Sequence, residues 1–338
     1  MILKRPGMGP LVLTMMLGGL LLAGCADEIE PASLIARPRV LAARVEPAGD
    51  SSRSWPRPAE AATITWLVVT PDATRPRPLS WSLSACVAAA VGGACRDGEA
   101  PFLTSTGDSD DGAPPVLAFT VPSEATLGDA SRLLITGAIC VDGAAVAGAG
   151  LGQRCIGAGA VETDVALTIT LERAAAQNHA PTLADDPITF DGAVWPGSAI
   201  GALPAADCAG AAAALGLPVV AATARDDKRH VEVASDAGDR ETIPPPAGAE
   251  TAASPAREAL QLSHFSTGGE LDRQFDAVEA ADERAVAPLR VDWQPPKPAA
   301  VASAGGMAVT FYFVARDLRG GVDWTARSLC VTPAALAP

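Results

Sequence analysis

The sequence predicts an all-β protein made of two antiparallel β-sandwiches in tandem. Three observations carry this. Short stretches alternate strictly between apolar and polar residues. Twenty-nine prolines and 32 glycines punctuate the chain, and few segments keep a long helical period. The candidate strands also fall into two sets of seven. Leu79-Ser-Trp-Ser-Leu-Ser-Ala85 has an apolar or small residue at each odd position and serine at each even one, and Val165–Glu172 alternates in the same way. Such a period of two turns one face to a core and the other to water.

The first set is expected within residues 38–173: Arg39–Val45, Thr63–Val69, Leu79–Ala85, Phe102–Thr106, Val116–Val121, Leu133–Val141 and Val165–Glu172. Aromatic residues make up only 4% of the chain, so Val, Leu, Ile and Ala must fill the cores. Residues 174–186 form a polar, proline-marked junction. The second set is expected within 187–338: Ile188–Val194, Val219–Ala224, His230–Ala234, Leu260–Phe265, Leu289–Trp293, Met307–Ala315 and Val322–Val331. Asp317-Leu-Arg-Gly-Gly321 reads as the hairpin turn between the last two strands, its glycines supplying positive φ. Asp207–Leu217 is alanine-rich and suits a short helix. Residues 235–257 and 272–287 read as exposed polar loops.

Seven short strands with a tryptophan on the third resemble an immunoglobulin-like sandwich, in which Trp81 would be the buried core tryptophan. The second strand has no cysteine, so the inter-sheet disulfide of antibody domains is missing. The closing hairpin, together with Ser266-Thr-Gly-Gly-Glu270 and Leu289-Arg-Val-Asp-Trp-Gln-Pro-Pro296, is similar to PKD-like and related bacterial immunoglobulin-like modules over about half of the second domain. This resemblance implies a fold and no activity.

Residues 1–24 have the three parts of an export signal: Lys4 and Arg5, an apolar run from Leu11 to Leu22, and the small pair Ala23-Gly24. The run is shorter than the ~20 residues that cross a bilayer. Leu22-Ala-Gly-Cys25 resembles the lipobox of bacterial lipoproteins. The resemblance implies a diacylglyceryl group on the Cys25 thiol, cleavage before Cys25 and acylation of the new amine, with residues 25–37 as a tether. Two or more acyl chains hold a protein stably on a membrane. The implied address is the cell envelope. Ala26 stands where an aspartate would favour inner-membrane retention, so the outer membrane, facing periplasm or cell surface, is favoured.

Six cysteines remain: Cys86, Cys95, Cys140, Cys155, Cys208 and Cys330. An even number in an oxidising compartment suggests disulfides, with about 15 pairings open to six cysteines. Proximity favours Cys86–Cys95 and Cys140–Cys155, which leaves Cys208–Cys330. The absence of a C-x-x-C motif speaks against zinc.

The net charge of −14 deepens to −16 once Lys4 and Arg5 leave with the signal, which argues against nucleic acid as a partner. His179, His230 and His264 are scattered, with no H-x-x-x-H pair. Ser263-His264 beside Asp272 offers hydrolytic residue types without a nucleophile elbow, since Gly197-Ser-Ala-Ile-Gly201 has the wrong spacing. Asp108-Ser-Asp-Asp-Gly112 clusters hard oxygens that suit calcium, but it lacks a closing glutamate and matches ordinary turn chemistry. Asp226–Arg229 and Glu279–Arg284 read as solvated charge runs. Trp55 and Trp195, flanked by prolines, are read as exposed, either to touch glycan or partner or to plug a sandwich end. The expectation is therefore a protein without catalytic residues, metal or cofactor. It would act as a lipid-anchored scaffold or binding module for an envelope protein or polysaccharide. The alternative is a carbohydrate-binding or carbohydrate-active accessory protein.

Overall fold

Alternation becomes two sandwiches in the computed structural model, which describes residues 31–90, 93–147, 153–173, 177–183, 187–204, 207–223, 227–243, 256–301 and 306–333. The export signal, Cys25 and the start of the tether lie outside the described residues, as does Asp226 of the first charge run. Among the described residues no helix is long and apolar enough to cross a membrane.

The first sandwich contains β1 (Arg39–Pro47), β2 (Ala61–Val69), β3 (Leu79–Val87), β4 (Leu103–Ser109), β5 (Val116–Thr120), the one-turn helix α1 (Glu124–Leu127), β6 (Arg132–Val141), β7 (Ala144–Ala147), β8 (Gln153–Ile156) and β9 (Val161–Thr170). Its sheets run β1-β2-β5 and β4-β3-β6-β9, with β7 and β8 as a separate hairpin. All pairings are antiparallel. The seven strands read from the alternation are present; the β7–β8 hairpin was not read. Ile64, Trp66, Leu83, Ile135, Ile139 and Ile169 fill the space between the sheets.

The buried tryptophan of this sandwich is Trp66 on β2, not Trp81. Trp81 is half-buried and packs from the side. It pairs across the strands with Gly107, where a β-carbon would come within 2.4 Å of the indole ring. The glycine makes room for the ring on an outer strand pair.

The second sandwich begins with the hairpin β10 (Ile188–Phe190) and β11 (Ala193–Val194), then α2 (Cys208–Leu215) and β12 (Val219–Ala221). It continues through β13 (Arg229–Asp236), the short pair β14 (Thr242–Ile243) and β15 (Ala256–Arg257), β16 (Leu260–Ser266), β17 (Glu270–Leu271) and β18 (Phe275–Val278). It ends with β19 (Val286–Gln294), β20 (Met307–Arg316) and β21 (Val322–Thr332). One sheet is ordered β11-β10-β13-β19-β17 and the other β12-β21-β20-β16-β18. Only β12 joins its neighbour in parallel. The Asp207 carboxylate caps α2 by accepting from the Gly210 amide, and Gly216 ends the helix in the left-handed conformation. Trp195, Trp293, Phe311 and Phe313 form edge-to-face contacts at the centre of the core. Residues 272–287 are not simply a loop, because β18 completes a sheet edge against β16.

Three disulfides join Cys86 to Cys95, Cys140 to Cys155 and Cys208 to Cys330, with α-carbons 5.5–5.6 Å apart. The third fastens α2 to the last strand.

Ala32–Pro338 forms one compact unit. Leu41, Leu67 and Val69 from the first sandwich, with Ile35 before it, meet Phe265, Tyr312 and Val314 of the second in a separate apolar cluster. Half-buried Trp324 packs there too, stacked under the Arg44 guanidinium at 5.0 Å. Arg44 also binds Asp323 at 2.8 Å, and Arg316 donates to the Leu41 carbonyl. The two sandwiches therefore share an interface with apolar and charged parts.

Candidate functional site

The residues that the sequence offered for chemistry are dispersed. Asp111 accepts from the Ser109 hydroxyl and the Ala113 amide, and these bonds hold its carboxyl below the usual range. The Asp108–Gly112 run is thus a turn stabilised by its own backbone. Ser263 binds Arg316, whereas Asp272 accepts from the Asp292 amide. His264, next to Ser263 in the chain, is 1% exposed and stands edge-on to Phe313. The three do not converge. Exposed His230 pairs with Asp292 at 2.7 Å, and Lys228 lies near the same carboxylate. Among the described residues no group of three or more His, Cys, Asp and Glu is placed to hold a metal ion.

Among the described residues His264 has no hydrogen-bond partner on either ring nitrogen, and burial lowers its pKa to about 4. The unfolded chain therefore takes up a proton near pH 6.5 that the folded chain refuses until about pH 4. Stability is lost as the pH falls through that window, by roughly 3 kcal/mol in all. Urea titrations at pH 4 and 7 are expected to show His264→Leu less acid-sensitive than the parent by about that amount. Equal acid sensitivity would assign the loss to other groups.

The two tryptophans read as exposed are not. Trp195 is 1% exposed, in the core between Phe190 and Phe311, and donates to the Ser328 carbonyl. Trp55 is half-buried, donates to the Arg319 carbonyl at 2.8 Å and lies under the Arg319 guanidinium at 4.9 Å. Trp195 offers no ring face that could stack on sugar, and one face of Trp55 is covered by Arg319.

Trp55 leads instead to the most unusual constellation in the chain, at the junction of the sandwiches. The Asp317–Gly321 hairpin folds around the Asp317 carboxylate, which accepts from the amides of Arg319, Gly320 and Gly321. Only Gly320 of the two glycines has a positive φ; the other left-handed residue of the turn is Leu318. Gly321 is needed for space, since a β-carbon there would fall 2.1 Å from Asp317 Oδ2. Asn178, from the linker, is fully buried and donates to Asp317 Oδ2 and to Ser54 Oγ, each at 2.6 Å. Its Oδ1 has no hydrogen-bond partner. Arg319 donates to Glu241 Oε2 at 3.0 Å and to the Gln177 carbonyl, and Glu241 also binds the His179 ring.

Glu258 lies beside this network, 2% exposed, and among the described residues neither of its carboxylate oxygens is hydrogen-bonded. Arg319 Nη1 lies 3.7 Å from it. Burial drives the Glu258 carboxyl up to about 8; the Asp317 charge adds to the rise and Arg319 opposes it. A second buried cation supports the first-sandwich side of the junction. Arg53, 3% exposed, binds Glu172 at 3.0 Å and also Glu60, while Arg57 takes the other Glu172 oxygen. Of this network the sequence singled out Trp55, His179 and the Asp317–Gly321 turn, but not Asn178, Glu241, Glu258, Arg53 or Arg57. The latter belong to segments that look like polar linker.

Two of the surface recesses among the described residues lie on the second sandwich or where it meets the first. One, of about 280 Å³, lies where the sandwiches meet and is lined by Val69, Arg75, Leu79, Ile200 and Tyr312 among others. Another, of about 360 Å³, lies at the edge of the second sandwich between Val194, Leu217 and Val219.

These features define an all-β protein of two immunoglobulin-like sandwiches with a built junction. No family model matches the sequence, and no curated protein matches it. Among solved structures, Escherichia coli alpha-2-macroglobulin activated by porcine elastase is similar over 87% of this chain and 22% of its own, at 8% identity and a TM-score of 0.22. The native conformation of the same E. coli protein and a Salmonella alpha-2-macroglobulin mutant each cover 86% of this chain and 16% of theirs, at 10% identity and TM-scores of 0.21. The chain thus spans less than a quarter of each of these proteins. Likenesses this distant carry no argument about function.

Proposed function

We propose that this is a lipid-anchored protein of the bacterial cell envelope that acts without catalysis, as a scaffold or binding module for another envelope component. The observation that carries the reading is the lipobox ending at Cys25, ahead of a body whose two sandwiches are fastened to each other. Ser263, Asp272 and Asp111, residue types that would otherwise suggest catalysis, are engaged in separate local pairings. Three disulfides fit an oxidising compartment. The acidic surface fits a soluble body held to the membrane by its lipid and not by charge. Ala26 after the lipidated cysteine favours the outer membrane.

Mass spectrometry of the protein purified from its native membrane is expected to show residues 1–24 absent and Cys25 acylated. An intact Met1 or an unmodified Cys25 would remove the anchor from the proposal. Cys25→Ala is expected to mislocalise the protein while its unfolding curve stays unchanged. Capture of a specific envelope component from crosslinked cells, lost with the mislocalised variant, would identify what the body holds.

A further inference from the structure

We propose that the junction is a proton-locked clasp, in which Glu258 is held neutral so that raising the pH loosens the contact between Trp55 and the Asp317–Gly321 hairpin. The argument begins with satisfaction of buried groups. A carboxylate that is 2% exposed and, among the described residues, has no well-formed hydrogen bond and only a weak pull from the Glu241 backbone is costly when charged and tolerable when protonated. Its surroundings sharpen this. Asp317 and Glu241 from the second sandwich place negative charge near it, while Arg319 and Arg240 place positive charge. His179 of the linker pairs with Glu241, while the first sandwich brings Ser54 to Asn178, Trp55 to Arg319, and the charged Asp50 and Arg53 to His179. Arg240 is committed to three backbone carbonyls, those of Glu258, Asp282 and Glu279. That leaves Arg319 as the cation able to answer a new charge.

Arg319 is also what ties the parts together. Its guanidinium covers the Trp55 ring, its carbonyl accepts from the Trp55 indole, and its Nη2 reaches the linker at the Gln177 carbonyl. Ionised Glu258 must either draw Arg319 closer or draw in water. The first pulls the guanidinium from Trp55 and Gln177; the second opens the packing around Asn178. Both release the first sandwich from the hairpin. Linkage gives the sign: a carboxyl that holds its proton longer in the closed state than in the open one favours opening as the pH rises. The window runs from the ordinary carboxylate range, near 4.5, to about 8.

Hydrogen–deuterium exchange of the full chain between pH 5 and 9, corrected for intrinsic exchange, tests this in peptides covering residues 50–56 and 316–322. The opening equilibrium is expected to rise by up to about tenfold per pH unit until about pH 8 and then level off. Glu258→Gln, which keeps the shape and cannot ionise, is expected to give a flat profile. Parallel profiles for the two proteins would overturn the proposal. If Glu258→Gln does not fold, the carboxyl carbon of Glu258 in the unaltered protein decides by NMR titration. A midpoint near 8 supports the clasp, and one between 4 and 5 overturns it.

Discussion

Replacing Cys208 and Cys330 together with alanine is expected to lower the unfolding free energy by up to about 5 kcal/mol in the chain-entropy description of a long closed loop. The bridge spans 122 residues, against nine and 15 for the other two. It ties the first turn of α2 to a fully buried position on β21, and both cysteines sit in a small cluster with Leu203, Ala212 and Leu217. β12 depends on the same anchor: it leaves α2 through Gly216 and pairs in parallel with residues 330–332 of β21. Such a short parallel edge has few hydrogen bonds of its own. Urea unfolding of the double variant should therefore fall most of the way towards that of the parent in reductant, which loses all three bridges, with exchange protection in β12 lost first. A double variant within about 1 kcal/mol of the parent would mean that packing of α2, not the bridge, holds this end of the sandwich. Because the first two bridges close short local loops, their removal is expected to cost less.

The contrast between bridges and junction shows which features local sequence can carry. Strands were legible because alternation is a local property. Both patterns fall in strands of the β4-β3-β6-β9 sheet; Val165–Thr170 keeps its faces in β9, whereas in β3 the serine side is covered too, with Ser82 and Ser84 buried and Ser84 bonded by Gln153 of β8. The cysteine pairs were legible because proximity settles two of them and parity the third. Of the two readings of Trp195, exposed contact or plug of a sandwich end, the structure favours the plug, although the proline neighbour suggests a loop at the surface. It does lie in a loop, but one that folds over the open end of the core between Phe190 and Phe311. Trp81 alternates correctly, yet alternation says nothing about distance from the centre of a sheet, and Trp66 takes the central place. The junction was the least legible part. Asp317 meets Asn178 across 139 positions, Trp55 meets the Arg319 carbonyl across 264, and Arg44 meets Asp323 across 279. Glu258 stands in a polar stretch where any single-sequence reading expects a solvated carboxylate.

Asp317 offers the second large effect, and burial decides its size. Asp317→Ala removes the acceptor for the Arg319, Gly320 and Gly321 amides and for the Asn178 side chain. An unpaired buried donor costs about 1–3 kcal/mol, and removing one member of a buried network typically costs 3–5 kcal/mol in total. The expected loss is therefore about 3–5 kcal/mol. Asp317→Asn should lose less, because one oxygen remains for the backbone amides, although its new amide group would face the Asn178 donor. Asp111 gives the comparison. Its carboxylate makes the same kind of local bonds to a hydroxyl and a backbone amide, but in an exposed turn where water can replace it, so Asp111→Ala should change stability little. Denaturation followed by tryptophan fluorescence would separate the cases. Because Asp317 holds both the hairpin that Trp55 contacts and the linker amide that reaches Ser54, its loss should also split a single unfolding transition into two, one for each sandwich. A variant that loses stability yet still unfolds in one step would show that the apolar contacts around Tyr312 and Leu67, and not the Asp317 network, couple the sandwiches.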